Sequence, residues 1–97
     1  MSARLLRRST ATLAAELPAI DAIRLGSAAD AEVRIDAPGV RPVHATLTRE
    51  GDRLVLVAEG ADAGVTSLNG RRVSREPLRH LDVITLAPGV DLIYLAT

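Results

Sequence analysis

The sequence predicts an all-β fold, a sandwich or barrel, on three observations. Apolar segments are short and recur along the chain, turn signals separate them, and several alternate apolar with polar residues, the period of a half-buried strand. The chain has 97 residues, enough for one domain spanning 1–97, and 47% of it is apolar. Almost all of that comes from Ala, Leu, Val and Ile, so the core is expected to be aliphatic. A chain this short buries only about 60–65% of its unfolded surface, which leaves few apolar residues outside the core.

Taken in order, residues 3–17 fit either one helix, with Leu5, Leu6, Leu13 and Leu17 inward, or a pair of strands; a sandwich needs its first strands here, and strands are preferred. Residues 1–8 carry three arginines and no acid, so this stretch reads as a basic N-terminal arm or as the first strand. Ile23 and Leu25 alternate before Gly26. Val33 and Ile35 alternate between Glu32, Arg34 and Asp36, and Asp36-Ala37-Pro38-Gly39 is a turn. Ala45 and Leu47 alternate with threonines up to Glu50-Gly51-Asp52, a tight hairpin signal. Leu54 to Val57 is an unbroken apolar run, as expected of a strand covered on both faces. Gly60 to Gly64 reads as a loop, Asn69-Gly70 is the strongest turn dipeptide of the chain, and Val73 stands alone in a polar stretch. Val83, Ile84 and Leu86 form a further strand, Pro88-Gly89 turns it, and Asp91 to Leu95 ends the pattern.

Composition excludes several kinds of chemistry. The twelve basic residues, all arginine, balance twelve acidic ones, so a generally basic nucleic-acid surface is disfavoured. Tyr94 is the one aromatic residue, which leaves no stacking platform for single-stranded nucleic acid. Without cysteine there are no disulfides, thiolate metal sites or cysteine nucleophiles. Without lysine there is no P-loop and no Schiff base. His44 and His80 lack a zinc-ligand spacing, and nothing in the spacing of Ser67, His44 and Asp82 supports a catalytic triad. No catalytic residue, metal or cofactor is expected. No apolar run reaches the length of a membrane span, and the N-terminal residues lack the apolar region of a signal peptide. The reading is a cytoplasmic, non-enzymatic domain that binds neither membrane nor nucleic acid.

The punctuation points carry a resemblance. Leu25-Gly26-Ser27, Glu32-Val33-Arg34-Ile35-Asp36, Val40 to Leu47 around His44-Ala45, Ser67-Leu68-Asn69-Gly70, and Leu78 through Leu86 resemble, in order and spacing, the motifs of the forkhead-associated (FHA) domain. The resemblance runs from about Ala22 to Ala96. It implies an eleven-stranded β-sandwich whose loops at one end bind phosphothreonine peptides. It further implies that Gly26, His44 and Gly70 support those loops, His44 as a brace and not a base, and that Asn69 contacts the peptide backbone. His80 falls near the family's Gly-Asp turn and reads as a surface residue.

Three positions depart from the family. Ser27 stands where the family has its phosphate-binding Arg, Arg41 where it has its phosphate-binding Ser, and Leu68 where many members have a hydroxyl. Phosphothreonine carries nearly two negative charges and is best held by a guanidinium fork. Losing one charged hydrogen bond costs about 1.5–3 kcal/mol, or roughly tenfold or more in affinity. The expectation is therefore a protein-interaction module, of a signalling or scaffold kind, that works without phosphate. Its binding candidates are Ser27, Arg41, Ser67, Leu68 and Asn69. In the alternative, Arg41 and Ser27 exchange roles, Arg41 supplying the charge and Ser27 the hydroxyl to a phosphothreonine peptide. A third reading is self-association as a homo-oligomer through edge strands, since a chain of zero net charge has little repulsion against its own copies.

Overall fold

The computed structural model describes residues 3–58 and 66–96; the loop predicted over Gly60 to Gly64 lies outside these. Eleven strands form two sheets: β1 Ala3–Arg7, β2 Thr12–Leu17, β3 Ala22–Gly26, β4 Val33–Arg34, β5 Ala45–Glu50, β6 Arg53–Ala58, β7 Ser67–Leu68, β8 Arg71–Arg72, β9 Arg75–Pro77, β10 Val83–Ala87 and β11 Val90–Ala96. One sheet has the order β2-β1-β11-β10-β7-β8 and the other β4-β3-β5-β6-β9. The all-β sandwich expected from the alternation is thus the fold. No helix among the described residues is long and apolar enough to cross a membrane.

Residues 3–17 are a strand pair. β1 pairs antiparallel with β2 on one side and with β11 on the other, Leu5 lying opposite both Ala15 and Tyr94. This makes Leu5 a fully buried member of the core, while Leu13 remains about half exposed on the outer strand. A helix would bring all four leucines to one stripe. The strands instead separate them, burying the one that faces the second sheet. The first strand is therefore part of the sandwich core.

That core is aliphatic, as the composition requires. Ile23, Leu25, Leu47 and Leu56 from one sheet meet Leu5, Ile84, Leu86 and Leu92 from the other, all completely excluded from solvent. β6 is covered on both faces along Leu54, Val55 and Leu56, which explains why its apolar run does not alternate. Sequence reading gave no strands for residues 67–77. β7, β8 and β9 are two or three residues long and rich in arginine, and backbone pairing, not a hydrophobic period, defines them.

The pairing registers fix two opposite ends. The ends of β3 and β6 and the start of β5 converge at one end, through Leu25↔Ala45↔Ala58. The loops after β3 and β4 leave from there. The Glu50↔Arg53 hairpin, the Asn69-Gly70 turn and the loop 78–82 lie toward the other end.

Because Leu5 is buried between both sheets, Leu5→Ala is expected to cost about 2–5 kcal/mol. Thermal unfolding monitored by circular dichroism checks this. Loss of less than about 1 kcal/mol would mean that β1 is an appended arm and not core.

Candidate functional site

The loop end is held together by main-chain contacts around Gly26. The Ser27 N–H donates to the Arg41 carbonyl at 2.8 Å, the Ala28 N–H to Pro42 at 3.2 Å, the Ile35 N–H to Gly26 at 2.7 Å and the His44 N–H to Leu25 at 2.8 Å. The backbones approach so closely that a Cβ on Gly26 would collide with the carbonyl oxygens of both Pro42 and Arg41. Only glycine fits, for reasons of space and not of dihedral freedom.

His44 closes the same loop. It is buried, 1% exposed, and its Nδ1 accepts the Arg41 N–H at 3.2 Å. A backbone N–H can only donate, so Nδ1 is unprotonated and the ring is neutral, with its proton on Nε2. Burial first, and the nearby Arg41 charge second, hold the His44 pKa below its ordinary value. Both effects disfavour a second proton. Among the described residues, Nε2 and the buried hydroxyl of Thr66 have no hydrogen-bond partner. His44 thus ties the Arg41 main chain to the buried ring by one hydrogen bond.

A second clamp fixes the loop between β3 and β4. Arg24 grips Glu32 with its Nε and a terminal nitrogen at 3.0 and 2.9 Å, and its backbone N–H donates to the same carboxylate at 2.8 Å. A further bond from Arg24 reaches the Asp30 carbonyl. These contacts hold the Glu32 carboxyl down to about 2, first through the Arg24 side-chain hydrogen bonds.

The candidate residues do not all gather at this end. Ser27 and Arg41 are brought together by the 2.8 Å backbone bond. Arg41 also lines a groove of about 400 Å³ with Gly39, Ser67, Arg72 and the turn at Leu86 to Pro88. Leu68 is 3% exposed and belongs to the core, with Ile84 as its partner position on β10. Asn69 does not join Ser27 and Arg41 at the loop end. It lies in the turn toward the far end of the sandwich, its amide donating to Asp82 at 2.9 Å and its carbonyl accepting the Val83 N–H at 2.9 Å. Both ends of the side chain tie the turn to β10. Asn69 and Gly70, with φ of 53° and 84°, have the left-handed geometry of a tight hairpin turn. His80 is exposed, and its Nδ1 accepts the Ala96 N–H at 3.0 Å.

Sequence reading missed Arg72 and Arg34. Arg72 follows from the Asn69-Gly70 turn: a two-residue hairpin pairs 68 with 71 and 67 with 72, the observed register, which sets Arg72 opposite Ser67 in the groove. Arg34 pairs in parallel with Gly26 and donates from Nε to the Ser27 carbonyl at 3.2 Å. No local signal announces a parallel pair of two residues.

The family model for the FHA domain matches residues 23–87, which include the loops around Gly26, His44 and Asn69-Gly70. The chain belongs to the FHA domain family. Among solved structures, this FHA domain is similar to one from a study of phosphothreonine-dependent FHA domain interactions, with 22% identity, 100% of this chain and 98% of that one covered, and a TM-score of 0.85. It is similar to the N-terminal FHA domain of S. cerevisiae Rad53p in complex with a phosphothreonine peptide, at 18% identity, 100% and 94% coverage and a TM-score of 0.84. The FHA domain of CT664 from Chlamydia trachomatis matches at 17% identity, 100% and 99% coverage and a TM-score of 0.83. A search of curated proteins finds no match.

Two outcomes are expected of this end. Gly26→Ala is expected to unfold the loop end or the whole FHA domain, with lost near-ultraviolet and methyl NMR dispersion; a native-like spectrum would show that the backbones can part. His44 accepts a proton less readily folded than unfolded, so its contribution is complete above about pH 6.5 and falls as pH drops below that value. Glu32 acts only lower, between the ordinary 4.5 and about 2. Melting temperature is therefore expected to fall between pH 7.5 and 5, with a smaller slope in His44→Gln; equal slopes in the two proteins would refute the assignment.

Proposed function

We propose that this FHA domain is a non-catalytic interaction module that takes a segment of a partner protein at its loop end and does not require phosphate for the contact. The observation that carries this is the environment of Ser27. Its N–H and carbonyl are both committed to the scaffold, to Arg41 and Arg34. What it offers a ligand is one hydroxyl, where the family offers a guanidinium. The groove beside it, with Gly39, Arg41, Ser67 and Arg72, gives a peptide main chain both polar partners and space. The sequence without cysteine fits a reducing compartment, and the reading places this interaction in the cytoplasm.

A second reading has its own observation. The two exchanged positions are neighbours through the Ser27–Arg41 backbone bond, and Arg41 shares its groove with Arg72 and Ser67. Two guanidiniums and a hydroxyl are a chemically adequate set for a phosphate. In this reading the ligand is a phosphothreonine peptide, held by charge from Arg41.

Titration with a degenerate phosphothreonine peptide library and its unphosphorylated twin separates the two. The first reading expects equal affinity for both libraries, unchanged within about threefold in Arg41→Ala. Phosphate-dependent binding that falls roughly tenfold or more in Arg41→Ala, and less in Ser27→Ala, would overturn it in favour of the second.

A further inference from the structure

Three arginines converge at the other end of the sandwich. Arg53 opens β6, Arg71 opens β8, and Arg79 lies in the loop after β9. Their side chains line one concavity of about 290 Å³, together with Asn69, Glu76 and Asp82. The fold does not need them there for pairing. Among the described residues none of the three side chains forms a salt bridge or hydrogen bond, whereas Arg24 and Arg75 are each matched to a glutamate. Nor do the two acids cancel them equally. Asp82 turns both oxygens to the scaffold, accepting from the Asn69 amide at 2.9 Å and the Arg79 N–H at 2.8 Å. Glu76 is left beside three guanidiniums.

Edge protection accounts for only part of this. Charged residues on an outer strand discourage pairing between copies, and β8 is an outer strand. β6 is an inner strand and Arg79 is in a loop, so neither Arg53 nor Arg79 has that role.

Leu81 is an independent sign at the same place. It follows Arg79 by two residues, is 60% exposed, and has φ of 74°, a left-handed conformation that is strained for leucine. Its N–H is held by the Tyr94 carbonyl at 2.7 Å, so the exposed apolar side chain stands on a fixed backbone. Strain and exposed apolar surface together gather at binding sites.

We propose that this end is a docking site for an acidic segment of a partner protein, a stretch of Asp and Glu with an aliphatic residue positioned to cover Leu81. Guanidinium forks on three elements match carboxylates spaced along an extended chain. A nucleic acid fits less well, because the site has no aromatic ring for stacking. The site is distinct from the loop-end groove, and the inference does not depend on how that groove treats phosphate. With both ends occupied, the domain would hold two segments at once.

Fluorescence polarisation at low ionic strength, with a labelled peptide of Asp and Glu interrupted by Leu, tests this. Saturable binding that weakens with salt is expected, with none for the Asn/Gln version. Arg71→Glu and Arg79→Glu are each expected to weaken it roughly tenfold or more. Leu81→Gly is expected to weaken it less. Arg4→Glu, the same charge change at an exposed position of β1, is expected to leave it unaltered, with melting curves confirming that every variant is folded. Absence of binding, equal weakening by Arg4→Glu, or equally tight competition by a single-stranded RNA would each overturn the proposal. The loop-end libraries and Arg41→Ala report on the other groove, so failure at one end is distinguishable from failure at the other.

Discussion

The contact between the end of β3 and the chain from Arg41 to His44 is the constraint on which the loop end depends. Three backbone hydrogen bonds cross it, and they can form only because Gly26 lets two carbonyl oxygens occupy the space of a side chain. Each bond alone contributes about 0.5–1.5 kcal/mol. Their common effect is geometric: the loops after β3 and β4 cannot move independently. His44 extends the same joint inward, since its ring nitrogen is the acceptor for the Arg41 N–H. The Arg24–Glu32 clamp does so outward, along the exposed side of the loop.

This joint also separates scaffold from recognition. Substitution at Ser27 or Arg41 changes the side chain while leaving the scaffold bonds in place, because those bonds use main-chain atoms of both residues. A family can therefore alter its pocket chemistry without losing its loop geometry. In this structure the bonds at Ser27 and Arg41 are of this kind, formed by main-chain atoms alone. Loops on a rigid sandwich tolerate such divergence because core packing does not pass through them.

Much of this was legible in the sequence, and for identifiable reasons. Ile23, Leu25, Ala45 and Leu47 alternate, so their strands could be read directly. The Asn69-Gly70 dipeptide announced a hairpin, and its register would also have placed Arg72 opposite Ser67. The short strands β7 to β9 were not legible, since two or three residues cannot show a period. The places of Leu68 and Asn69 in the fold were not legible for a related reason. Motif spacing gives an order along the chain, but the face on which a residue lies depends on its partner strand, and β10 turns Leu68 inward and engages both ends of the Asn69 amide. The arginines at the far end were invisible as a group because they come from three separate stretches of chain.

The position of β1 between β2 and β11 has a kinetic consequence. Leu5 packs opposite Tyr94, and Ala3 pairs with Ala96, so the first strand cannot complete its sheet until the last one is available. Loop-closure entropy must be overcome across nearly the whole chain before that contact is rewarded, which makes such topologies slow to fold. Docking of β11 beside β1 completes this sheet from its middle, not from its rim.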